Sequence, residues 1–128
     1  MNIVRTGIIL NTERYVECVD FYRHVFNLST MYTKRDDDGF ELTCFDFGGA
    51  YLMVETGGVA KNGEKSIEES PAKLRFNVSN IDDALHTLQA YGVEATIERY
   101  SWGNTINIFD PDGNRIGIRD EATFSADE

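Results

Sequence analysis

The turn Phe109-Asp110-Pro111-Asp112-Gly113-Asn114 constrains this chain more than any other stretch. Pro111 presets φ for the second position of a tight turn. Gly113 can take the positive φ that closes the reversal without a Cβ clash. Ile106-Asn107-Ile108 precedes the turn and Ile116-Gly117-Ile118 follows it, a pattern that predicts a β-hairpin. A weaker copy lies 64 residues upstream: Phe45-Asp46 corresponds to Phe109-Asp110, and Gly49 to Gly113. In a chain of 128 residues, a hairpin repeated at about half the length predicts two copies of one unit.

Each copy reads strand, helix, strand, strand, strand. Residues 3–11 alternate as a strand, with Asn11 or Thr12 placed to cap the next helix. That helix runs from about 12 to 26, with Tyr15, Val19, Tyr22 and Phe26 on one stripe beside Cys18 and Val25. Strands follow at about 28–35, 40–47 and 50–56, with the solvated turn Asp36-Asp37-Asp38-Gly39 between the first two. Gly57, Gly58, Gly63 and Pro71 punctuate a charged linker, 58–71. The second copy has a strand through Leu74, Phe76 and Val78. Its helix is capped by Asn80 and closed by Gly92, and strands follow at about 93–100, 104–110 and 114–119. The expected organisation is therefore a single domain, 1–128. Its internal repeats are 3–57 and 72–120, and residues 121–128 form a flexible tail with little to bury.

Alternation assigns the faces. Ile8 and Leu10, Leu52 and Val54, Leu74 and Phe76, and Ile116 and Ile118 share a parity that belongs under the helices. Cys44 is placed with Leu42 on that covered side, and both cysteines read as small core residues. The other parity holds Gly7, Met53, Glu55, Lys73, Arg75, Asn77, Gly117 and Arg119 and continues through Thr43, Thr105 and Asn107. A polar second face implies water or a ligand.

Composition narrows the function classes. A net charge of −10 argues against nucleic acid, where phosphate contacts demand a basic surface. No apolar run is long enough for a membrane span. The N-terminal residues carry no signal-peptide pattern, and the two cysteines need no oxidising compartment, so a cytoplasmic location is expected.

The two βαβββ units, the Asp20-Phe21-Tyr22 helix and the Asp110-to-Asn114 hairpin resemble the vicinal oxygen chelate superfamily of glyoxalases, bleomycin-resistance proteins and extradiol dioxygenases. The resemblance covers residues 3–120. It implies an α+β fold in which eight strands form a cupped cavity with helices outside, and it implies a homodimer. Enzymes of that family hold a divalent metal through side chains on four strands. The corresponding slots here are Gly7, Met53, Lys73 and Gly117. Glycines offer no donor, a thioether is too soft for a hard ion, and an ammonium repels one. The expectation is no metal and no other cofactor.

The remaining candidates follow from the inward parity. Glu55 is the candidate general base, with a salt bridge to Arg119 or Arg75 as the alternative role. Met53, Lys73, Arg75, Asn77, Trp102 and Arg119 are the candidate ligand-binding residues. Arg5, Lys73, Arg75, Arg115 and Arg119 stand against Glu55, an excess of cations that suits an anionic small molecule. His24 and His86 fall on polar helix faces and read as solvated. The expected function is metal-free binding of a small, anionic organic molecule. Whether there is turnover stays open: a glyoxalase-like lyase, isomerase or dioxygenase of the resembling family and an antibiotic-sequestering protein are the alternatives.

Overall fold

The computed structural model describes residues 1–127, and the chain divides into two compact units with the boundary between Asn62 and Gly63, inside the charged linker. The first unit contains β1 (Gly7–Thr12), α1 (Tyr15–Val25), β2 (Thr30–Arg35), β3 (Glu41–Phe47) and β4 (Ala50–Thr56). The second contains β5 (Leu74–Val78), α2 (Ile81–Tyr91), β6 (Glu98–Tyr100), β7 (Gly103–Phe109), β8 (Arg115–Asp120) and a short α3 (Glu121–Ser125). The sheets are ordered β1-β4-β3-β2 and β5-β8-β7-β6, which is one topology used twice. In each, the first strand runs parallel to the last, and the other pairs are antiparallel.

The two hairpins carry the repeat. Gly49 and Gly113 take φ of 95° and 91°, so a Cβ would be strained at either position. In the second hairpin, Asp110 Oδ1 accepts the backbone N–H groups of Asp112 and Asn114, both at 2.9 Å. Asp112 is fully buried and accepts Lys65 Nζ at 2.9 Å. The turn is thus clamped from inside by carboxylates rather than left to solvent.

α2 forms as its sequence predicts. Asn80 accepts the Asp83 N–H at 3.1 Å, and Gly92 closes the helix in the left-handed region. Its buried Ile81 and Leu88 belong to a core with Leu74, Ile106, Ile108, Ile116 and Ile118, and α2 packs on β7 and β8. Each such side chain, fully buried, contributes about 1.5–3 kcal/mol. β6 is shorter than its sequence suggests, because residues 93–97 are not strand.

The first unit departs from expectation in three places. α1 starts after Arg14 without a side-chain cap. Thr12 Oγ1 instead accepts the Arg14 N–H at 2.8 Å, while Asn11 Nδ2 turns to Glu55 at 3.1 Å. Thr43 lies on the helix side: it pairs with Val54, and its hydroxyl meets Tyr15 Oη of α1 at 2.5 Å. Cys44 pairs with Met53 and so takes the opposite face, although it too is buried. Finally, Ile8 remains 39% exposed on the parity that should be covered. The core proper is Cys18, Phe21 and Tyr22 of α1 with Phe45, Leu52 and Val54 of the sheet. The stretch read from sequence as a tail carries α3, whose first turn is held by Asp120 accepting the Thr123 N–H at 3.3 Å.

Candidate functional site

In the second unit, β-pairing brings the polar parity to one face. Gly117 of β8 is paired with Arg75 on one side and Asn107 on the other, and one step along Arg119 is paired with Asn77 and Thr105. Gly117 is buried, and a Cβ placed on it would meet Arg75 Nε at 3.0 Å and Lys73 Cε at 3.1 Å. The missing side chain is therefore what lets the two cationic chains lie across β8. Lys73 Nζ donates to Asn107 Oδ1 at 2.8 Å. Partial burial holds the Lys73 ammonium below its usual pKa, aided by repulsion from Arg75 and Arg115 and opposed by Glu98. Arg75 is exposed and makes no hydrogen bond or ion pair among the described residues.

Arg119 is the buried member of the set. Its Nη2 donates to the Trp102 carbonyl at 2.8 Å, and its guanidinium lies 5.0 Å from the Trp102 ring and 5.3 Å from that of Phe124. It also pairs with Asp127 at 3.6 Å. Trp102 is half-exposed and stacks nearly parallel on Tyr100, with centroids 5.1 Å apart. The Tyr100 hydroxyl donates to Glu98, and this bond to a carboxylate raises the phenol's pKa. Asn77 Nδ2 donates to Glu121 Oε1 of α3 at 3.0 Å. Asp120, at the end of β8, accepts the Asn104 N–H at 2.8 Å and the Thr123 hydroxyl at 2.8 Å, and these bonds hold its carboxyl below the usual range.

The first unit presents a different surface. Met53 on β4 is half-buried, with Ile9 and Cys44 as its partners on either side. Glu55 is half-buried and held by the Asn11 amide; Arg119, one of the two arginines considered for it, pairs with Asp127 of its own unit. A Cβ on Gly7 would collide with the Tyr51 ring, which fills the space a side chain would use. His24 and His86 are exposed, and Cys18 is buried against Thr12. A groove of about 410 Å³ runs between α1 and β2–β3 on the helix side, lined by Asp20 and Glu41 together with Arg23, Lys34 and Arg35.

The seven candidate residues thus fall into two groups by unit. Lys73, Arg75, Asn77, Trp102 and Arg119 surround one sheet face, or its edge, in the second unit. Met53 lies with Glu55 in the first. Sequence reasoning missed Tyr51 over Gly7, and it missed α3, whose Glu121 accepts the Asn77 amide, with Asp127 just beyond the helix pairing with Arg119. The aromatic at position 51 beside a glycine at position 7 becomes informative only once β1 and β4 are known to pair Gly7 with Tyr51. Among the described residues, no three His, Cys, Asp or Glu side chains come together as a metal centre would require.

No curated protein sequence matches this chain. Among solved structures, a mutant of the fosfomycin resistance protein FosX from Listeria monocytogenes, complexed with Mn(II) and 1S,2S-dihydroxypropylphosphonic acid, is similar in fold. Its TM-score is 0.72 at 17% identity, covering 94% of this chain and 93% of that one. Glyoxalase I of Leishmania major gives a TM-score of 0.77 at 14% identity, covering 98% and 92%. Lactoylglutathione lyase from Agrobacterium tumefaciens gives 0.69 at 16%, covering 95% and 96%. The doubled βαβββ topology has its counterpart in the sequence match over residues 3–118, and the chain belongs to the Glyoxalase/Bleomycin resistance protein/Dioxygenase superfamily.

Proposed function

We propose that this protein binds a small, partly apolar organic anion without a divalent metal. The observation that carries this reading is the pair Lys73 and Arg75 laid across Gly117. Two like charges held together, one of them with a depressed pKa and the other unpaired, gain most from an anion that neutralises both. Arg75 presents a fork suited to a carboxylate, and Arg119 extends the positive face. Asn77 orients the ligand, while Trp102 supplies apolar surface. The phosphonic acid held by the Listeria protein belongs to the same broad class of organic anion.

The four metal slots do not fit a divalent ion. Gly7 and Gly117 have no donor, and the space beside each is filled by Tyr51 and by Arg75 with Lys73. Lys73 brings positive charge, and Met53 is a soft thioether. A lyase or isomerase reading has one observation in its favour: Glu55 is fixed by the Asn11 amide, as a positioned general base would be. The protein is read as a cytoplasmic homodimer, which sedimentation at micromolar concentration tests. Binding is tested by a thermal-shift screen of carboxylates, their neutral amides and amines. Carboxylates should stabilise the protein and Arg75→Ala should remove that effect while leaving the fold intact. Stabilisation by amines alone overturns the proposal.

A further inference from the structure

The anion-binding face of the second unit is already partly covered, and by the chain's own acidic end. α3 contacts β5, β7 and β8. It lies on the polar side of the sheet: Glu121 accepts the Asn77 amide at 3.0 Å, Phe124 flanks the Arg119 guanidinium at 5.3 Å, and Asp127 pairs with it at 3.6 Å. Both carboxylates therefore sit on residues that an external anion would use. The fit is incomplete. Arg119 Nε and Thr105 Oγ1, from residues directly opposite one another on β8 and β7, have no hydrogen-bond partner among the described residues. Arg119 is 8% exposed and Thr105 3%, so water does not satisfy them freely. A buried guanidinium N–H without an acceptor is costly. Asp127 does not repair it: its oxygen reaches Nη2 only at ion-pair distance, and its side chain is 74% exposed.

We infer that α3 is a displaceable acidic latch, seated on an anion subsite formed by Arg119, Asn77 and Thr105, and that an incoming carboxylate displaces it. This rests on the anion-binding reading above. Glu121 and Asp127 act as weak internal stand-ins for the ligand. An external carboxylate exchanges a long, exposed ion pair for hydrogen bonds to groups now unpaired. Thr123 Oγ1 crowds Gly103, since a Cβ there would lie 2.6 Å from it, so α3 rests on bare backbone beside Trp102. Movement of the latch therefore changes the surroundings of Trp102, the chain's single tryptophan.

The test uses Trp102 emission with benzoate as probe and benzamide as its neutral counterpart. Three proteins are compared: the full chain, the chain ending at Asp120, and full-length Glu121→Gln/Asp127→Asn. Both altered proteins should bind benzoate about tenfold more tightly than the full chain, with benzamide affinity unchanged. Should truncation unfold the protein, the double substitution decides. Equal or weaker benzoate binding in the altered proteins overturns the latch and leaves the anion reading standing. If benzoate moves Trp102 emission in none of the three, the anion reading fails and the latch, which rests on it, falls with it.

Discussion

Gly117 lies beneath Arg75, with its vacant Cβ direction 3.0 Å from the guanidinium Nε. The relationship explains why a glycine occupies the middle of a fully paired strand, where it otherwise costs about 0.5–1 kcal/mol relative to alanine. The space it leaves is used by the side chains of Lys73 and Arg75.

Replacing that glycine by a carboxylate should convert the face. Gly117→Glu places an anion beside Lys73 and Arg75, both flexible enough at their ends to move aside. Benzoate affinity should fall at least tenfold, about 1.4 kcal/mol or more, with the far-UV circular dichroism unchanged. Unaltered benzoate binding by calorimetry would remove Lys73 and Arg75 from the site.

Lys73 should make anion binding pH-dependent. Its folded pKa lies below 10.5, so the folded state loses this proton before the unfolded chain does. The unfolded state then binds more protons, and stability from this group rises as pH climbs through the folded pKa toward 10.5. Anion affinity moves the other way, because it needs the charged form. Benzoate binding should weaken over that same alkaline window. Lys73→Met should lower affinity at neutral pH and flatten the profile. A wild-type profile that is flat up to pH 10.5 would exclude Lys73 from binding.

Metal content is checked directly. The purified protein should carry divalent metal well below one per chain by elemental analysis, and chelation should leave Tm unchanged. A metal bound at one per chain and lost on chelation with a drop in Tm would falsify the metal-free reading.

The hairpin carries a stability prediction of its own. Lys65→Met removes the cation from fully buried Asp112. Breaking such a pair from one side costs about 3–5 kcal/mol, since a charge is left buried. Urea denaturation of Lys65→Met should show a loss of that order, against a near-neutral Lys34→Met on exposed β2. A loss under 1 kcal/mol would mean the carboxylate is satisfied by its turn alone.

Local chemistry made much of this protein legible without coordinates. The Asp-Pro-Asp-Gly-Asn turn, the Asn80 cap and the Gly92 stop are set by neighbours within four residues, and they appear where the sequence places them. In β5 and β8 one parity is strongly apolar, so the covered face could be read and the basic residues assigned to the other. The run Leu42-Thr43-Cys44-Phe45 offered no such signal. All four are buried, and small Thr and Cys suit either face, so alternation misassigned Thr43 and Cys44. Only the register against β4, which pairs Thr43 with Val54 and Cys44 with Met53, decided it. Arg119 and α3 needed tertiary structure for a different reason. Charge and spacing place a guanidinium on the polar face, but they cannot say which groups reach it. That Trp102, Phe124 and Asp127 surround Arg119 depends on where the chain goes after β8, a long-range consequence of packing that no local pattern encodes.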